Sequence, residues 1–251
     1  MNLAKIFPHR RKLTHPRFRL LCFPYAGGAA SLYRHWAPLL DPTVEVCPVE
    51  LPGRGVRLAE PAVHDMTQLC DGLAPAVEQL LDGVPMALFG HSMGARVAFE
   101  IARRFDGRIA HLFASGSPAP GTRWRHAAAG DRRLTAQLTD DEFRQRLRAL
   151  GGTPPEILEH DELMARVLPL VRADFVLIEN YRIEPQLRIT CPITVFAGVD
   201  DPGASPPAAA AWELRTTSRC RLVEIDAGHF FLDSHRAALI AEISHDLAPR
   251  A

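Results

Sequence analysis

The chain has 251 residues, enough to bury a large core in one domain. Hydrophobic residues make up 47% and charged residues 23%, which excludes a disordered or fibrous chain and fits an ordinary globule. Basic and acidic side chains balance at 29 each, so no net field recruits nucleic acid or an anionic membrane, and no run of about 18 apolar residues offers a membrane span.

Residues 1–17 are basic and aperiodic, and are expected to form a loosely held N-terminal arm. They lack the continuous apolar core of a secretion signal. Arg19–Pro24 reads as a short apolar strand running into Tyr25-Ala26-Gly27-Gly28, and Leu32–Leu40 as a helix with Tyr33, Trp36, Leu39 and Leu40 on one face. Val44–Val49 is a second strand, ended by Leu51-Pro52-Gly53-Arg54-Gly55. Met66–Leu81 has helical periodicity interrupted by Pro75. The apolar run Pro85–Phe89 then meets Gly90-His91-Ser92-Met93-Gly94, and Ala95–Arg104 continues at helical spacing.

Ala110–Ser115, Ile193–Ala197 and Cys220–Ile225 read as further strands, and Ser234–Leu247 as a closing helix. More than seventy residues separate the first two of these strands, where a helical crossover needs about a dozen. Helical periodicity in Asp140–Leu150 and His160–Tyr181 assigns the surplus to a helical insertion over residues 123–184. The core is then 18–122 with 185–251. Strands alternating with helices argue a mostly parallel sheet covered on both faces. The five cysteines are scattered and form no C-x-x-C pair, which fits a reducing compartment and a cytoplasmic location.

G-x-S-x-G between a strand and a helix is the setting of a nucleophile elbow, with Ser92 at its tip. A serine hydroxyl needs a base within hydrogen-bond reach. Of the eleven histidines, His229 fits best, in a loop between the last strand and the last helix. His91 is adjacent, but side chains at an elbow diverge, so it is expected to pack beside the turn. The carboxylate that orients the imidazole is sought in Gly198-Val199-Asp200-Asp201-Pro202. Either aspartate could serve, and Asp201, followed by proline, is preferred. The order serine, aspartate, histidine is that of an α/β-hydrolase. The backbone N–H groups of Ala26 and Met93 are the candidates for an oxyanion hole. No metal-binding or phosphate-binding spacing is present.

Taken together, Phe23–Gly28, Leu51–Gly55, Phe89–Ala95, Leu168–Phe175 with Tyr181, Gly198–Asp201 and Gly228–Leu232 resemble the type II, external editing thioesterases of polyketide and nonribosomal peptide synthesis. The resemblance runs from about residue 18 to residue 247. It implies hydrolysis of stalled or aberrant acyl groups from the phosphopantetheine arm of acyl or peptidyl carrier proteins, through an acyl-serine. The enzyme would have no cofactor of its own. It also implies that the insertion is a lid over an acyl chamber. Leu163, Val167, Leu170 and Phe175 are candidate chamber residues, although their spacing equally suits packing against the body. Arg144, Arg146, Arg148, Arg166 and Arg172 could meet an acidic carrier protein or form a solvated face. Many family members carry histidine where Tyr25 stands. With no carrier domain attached, a thioesterase domain that cyclises products is disfavoured. Nothing in the chain suggests a large obligate interface, so a monomer is expected, without nucleic-acid or membrane partners. Fold and triad alone leave a carboxylesterase, a lipase or a peptidase open. A silent scaffold would be expected to lack part of the triad.

Overall fold

The computed structural model describes residues 2–122 and 133–248. The first ten positions expected in the insertion, 123–132, lie outside the described residues. Six strands form one sheet: β1 (Phe18–Phe23), β2 (Val44–Pro48), β3 (Met86–His91), β4 (Ile109–Ser115), β5 (Ile193–Gly198) and β6 (Cys220–Ile225). Their order is β2-β1-β3-β4-β5-β6, and every pairing is parallel. The chain has the α/β-hydrolase architecture its element order predicted.

Alternation along the strands explains the two-sided covering. Leu21, Phe23, Met86, Leu88, Leu112, Ala114, Ile193 and Val195 face one apolar cluster, and Leu20, Cys22, Ala87, Phe89, Phe113 and Phe196 face another. Buried on both sides, these strands read as unbroken apolar runs. The first face is covered by α1 (Met66–Leu80) and α2 (Met93–Arg104). The second is covered by Tyr33, Trp36 and the closing helix, whose Leu239, Ile240 and Ile243 point inward. Helix α1 runs continuously through Pro75, which lies on its exposed side. The backbone donor that proline lacks is lost there.

Two expectations change. The segment 32–40 is two 3₁₀ turns, Ala30–Tyr33 and Ala37–Leu39, with Pro38 at the start of the second. Tyr33, Trp36 and Leu40 are buried, but Leu39 faces solvent. The N-terminal segment is docked, not loose. Leu3–Ile6 forms one helical turn, Ile6 and Phe7 enter the core, and Ile6 O accepts the Glu50 N–H at 2.8 Å. Arg10 also pairs with the buried Glu45. Apolar side chains at 6 and 7 outweigh the charge around them.

The insertion contributes α3 (Asp140–Leu150), a single turn Pro155–Leu158 and α4 (Asp161–Asn180). Thr139 and Glu142 form a capping box at the start of α3, and Gly151 ends it at φ 72°. Leu138, Phe143, Leu147, Leu158, Met164, Leu168, Val171 and Phe175 build a third apolar cluster, to which Ala26 of the body is joined. At the far end of α4 the Tyr181 hydroxyl donates to Glu100 on α2 at 2.6 Å. The closing helix is α5 (Arg236–Asp246). Among the described residues, no helix is long and apolar enough to cross a membrane.

Candidate active site

Topology places the site. The chain lays β2 on one side of β1 and β3 on the other, so strand order reverses between β1 and β3. In open α/β sheets the crevice outside the carboxyl ends at such a reversal receives ligands. Tyr25–Gly28 follows β1 and Ser92 follows β3, so the two segments share that crevice.

Ser92 stands at φ 57° and ψ −119°, the one non-glycine residue with positive φ among the described residues. Both glycines of the motif are steric requirements. A Cβ at Gly90 would lie 2.1 Å from Gly94 O, and one at Gly94 would lie 2.2 Å from Phe23 O. The turn is locked by Ser92 N–H donating to Ser115 O at 2.7 Å. Ser92 is also the N-cap of α2, so the positive end of that helix lies at the hydroxyl.

His229 Nε2 is 3.0 Å from Ser92 Oγ, and His229 Nδ1 is 2.6 Å from Asp201 Oδ2. The other oxygen of Asp201 accepts the N–H groups of Gly203 and Ala204 at 2.8 and 3.0 Å, which holds the carboxylate in place. Asp201 is buried, whereas Asp200 is exposed and uses its N–H to reach Ala227 O at 3.1 Å. Close loop packing makes this approach possible. A Cβ at Gly198 would lie 2.5 Å from Ala227 O, so the turns after β5 and β6 run backbone against backbone.

His91 is fully buried beside the turn, with Nδ1 2.9 Å from Ser115 Oγ and its ring centroid 5.2 Å from that of His229. Burial, with a smaller contribution from neighbouring His229, pushes its basicity well below the ordinary histidine range. It packs beside the turn, as the divergence of side chains at an elbow predicts, and burial keeps it neutral.

Ser92, His229, Tyr25 and Ala26 line a small, largely apolar cavity of about 50 Å³ together with Leu147, Leu150, Gly152, Thr153, Val171, Phe175 and Phe230. Ala26 lines the same cavity as Ser92. Met93 is the first residue of α2, so its N–H has no acceptor within the helix. Two larger grooves, of about 360 and 540 Å³, lie elsewhere and contain none of these groups.

Of the four expected chamber residues, Phe175 lines the cavity and the other three do not. Leu163 is exposed, Val167 is half-buried against the lid's own cluster, and Leu170 lies against Gly53. The inward stripe of α4 is Met164, Leu168, Val171 and Phe175, about one residue further round the helix. The lid arginines divide as well. Arg146 is buried and reaches Arg133 O, while Arg172 reaches Thr135 O and Leu138 O and stacks on Phe143. Arg144 pairs with Asp161, and Arg148 and Arg166 face solvent.

Sequence reasoning missed Phe230 and Gly152. The Phe230 ring lies edge-on to Tyr25 and His229, and over Gly152, where a Cβ would sit 2.0 Å from Phe230 Cζ. The Gly151-Gly152 pair after a helical run was the available signal for such a close approach.

The thioesterase domain family matches residues 18–247. The thioesterase PikA5 of Streptomyces venezuelae is 37% identical over 233 residues, covering 91% of this chain and 80% of PikA5. A Brevibacillus parabrevis protein named linear gramicidin dehydrogenase LgrE is 37% identical over 240 residues, 91% of this chain and 87% of its own. That name denotes a different reaction, but the family match covers nearly the whole chain here and is to thioester hydrolysis. Among solved structures, the type II thioesterase BorB from the borrelidin biosynthetic cluster superposes with a TM-score of 0.83 at 36% identity, over 96% of each chain. This chain belongs to the thioesterase domain family: it is an α/β-hydrolase-fold enzyme that hydrolyses thioesters, allied with the type II thioesterases.

Proposed function

We propose that this enzyme removes stalled or aberrant acyl groups from the phosphopantetheine arm of acyl or peptidyl carrier proteins in nonribosomal peptide or polyketide synthesis. It acts as a cytoplasmic monomer, without a metal, a cofactor of its own, nucleic acid or a membrane. The observation that carries the reading is the imidazole of His229 bridging Ser92 and Asp201 within a lid-covered apolar cavity. The family match and the likeness to BorB support the substrate class.

In this reading Ser92 Oγ attacks the thioester carbonyl carbon while His229 Nε2 takes its proton. Asp201 holds the imidazole with Nδ1–H toward the carboxylate and stabilises its charged form. The N–H groups of Ala26 and Met93 receive the tetrahedral oxyanion. Collapse breaks the carbon–sulfur bond, the imidazolium protonates the departing thiolate to the free thiol, and the acyl group remains on Ser92 as an ester. Water, deprotonated by His229, attacks that ester, and the carboxylic acid leaves as Oγ regains its proton.

Hydrolysis of acetyl-pantetheine by wild type and Ser92→Ala tests the serine's role. The variant should lose on the order of 10⁴–10⁶-fold in kcat and form no acetyl-enzyme by intact mass. Wild-type turnover in Ser92→Ala would overturn the mechanism.

A further inference from the structure

The loop that supplies Ala26 is held by an ion pair that the chemistry above does not use. Arg54 and Asp174 are buried, at 5% and 2% exposure, and meet through two hydrogen bonds of 2.8 and 2.7 Å. Asp174 Oδ2 also accepts the Gly27 N–H at 2.7 Å, and Arg54 Nη1 also donates to Gly28 O at 3.1 Å. The pair thus grips the backbone on both sides of the Gly27–Gly28 step, immediately after Ala26.

Peptide planarity carries this grip to the Ala26 N–H. Gly28 N–H donates to Tyr25 O at 2.9 Å, which fixes the plane of the Tyr25–Ala26 peptide. In a trans peptide the N–H points opposite to the carbonyl, so the Ala26 N–H is aimed by whatever fixes Gly28. Arg54 anchors the far side of Gly28 through its carbonyl oxygen, and Asp174 anchors the near side through the Gly27 N–H, so the short turn that carries the Gly28 N–H is held from both ends. A second buried acid, Glu50, receives the Ala30 N–H at 3.1 Å and closes the far end of the loop. Gly27 stands at φ 77°, where a Cβ would press on Val171 at 3.0 Å, so the loop lies directly under the lid helix.

The three partners come from three segments. Gly27 and Gly28 follow β1, Arg54 follows β2, and Asp174 is on α4 of the lid. A buried ion pair is a weak device for stability alone, since an apolar pair of similar volume often serves as well. What a guanidinium and a carboxylate add is a forked, directional set of bonds to each other and to backbone.

We propose that Arg54 and Asp174 are positioning residues that aim the Ala26 N–H at the developing oxyanion and tie that aim to the seating of the lid helix. The proposal rests on the reading of Ala26 and Met93 as the oxyanion donors. Lifting α4 removes Asp174 from Gly27 and leaves Arg54 without its carboxylate, so an open lid is also an unset oxyanion hole.

The test uses Asp174→Asn and Arg54→Lys beside wild type and Ser92→Ala, with acetyl-pantetheine as substrate. Active sites are counted with a fluorophosphonate, and kcat is expressed per titrated site. Asp174→Asn should lower kcat by about 10- to 100-fold, the scale of a misplaced donor, with KM within about threefold. A trifluoromethyl ketone analogue of the thioester, which forms an oxyanion on Ser92, should lose affinity by the same factor as kcat/KM. Arg54→Lys keeps the charge and one contact but not the fork, so it should fall between Asp174→Asn and wild type. It also provides the readout if Asp174→Asn does not fold. Wild-type kcat per titrated site in the variants, or a loss confined to the number of active sites, would overturn the proposal and leave the pair a structural one. Full activity in Ser92→Ala would instead bring down the serine reading, and the clamp's purpose with it.

Discussion

Replacing Ser92 by alanine and by glycine separates backbone strain from chemistry. Both substitutions delete the hydroxyl and its contact with His229, so those losses cancel between them. They differ in the Cβ atom, which alanine keeps at φ 57° and ψ −119° and glycine does not. A side chain held in such a region costs on the order of 1–3 kcal/mol. Against its release stands about 0.5–1 kcal/mol, because glycine leaves the unfolded chain freer. The balance predicts that Ser92→Gly is more stable than Ser92→Ala by roughly 1 kcal/mol, although neither hydrolyses substrate. Urea unfolding followed by circular dichroism would show this as a higher midpoint at equal slope. In a thermal scan of a chain this long, the difference corresponds to about 2–4 °C. Equal midpoints, or a more stable alanine variant, would refute the claim that the elbow stores strain at its nucleophile position.

Two further predictions concern the residues around that turn. Asp201→Asn should lower kcat/KM by on the order of 10⁴-fold through loss of the carboxylate that holds His229, while exposed Asp200→Asn should stay within about twofold of wild type. Steady-state rates showing the reverse ranking would move the acid by one residue. His91 is buried and neutral in the folded protein, so unfolding takes up a proton below about pH 6.5, the ordinary histidine value. Its folded basicity being depressed, stability declines as pH falls through that value, by at most about 1.4 kcal/mol per pH unit from this group. The urea-midpoint advantage of wild type over His91→Asn should therefore narrow between about pH 7 and about pH 5, and a constant advantage would contradict the assignment.

The sheet and its serine elbow were legible in the chain because each is a local pattern. Strands buried on two faces write continuous apolar runs, and Gly90 and Gly94 are demanded by contacts within a few residues of Ser92. The preference for Asp201 over Asp200 was also local, since Pro202 directs the turn. The lid was harder. Helix α4 carries apolar residues on more than one side, because Met164, Leu168, Val171 and Phe175 face the lid cluster while Leu170 meets the loop at Gly53. Periodicity alone could not choose between the stripes. For 32–40, spacing suggested a helix, but Pro38 breaks the run and two short turns suffice to bury Tyr33 and Trp36. The Arg54–Asp174 pair joins residues 120 apart, and no periodicity or spacing reports such a partnership. Asp174 left one mark, a charge set in the apolar stripe between Val171 and Phe175.

The central claim is that this fold and triad serve a carrier-bound thioester. The direct measurement compares kcat/KM for acetyl on a phosphopantetheinylated carrier protein with that for acetyl-pantetheine and p-nitrophenyl acetate. The account predicts a large advantage for the carrier-bound acetyl group that disappears in Ser92→Ala. Equal or faster turnover of the free ester would contradict it and make the enzyme a general esterase.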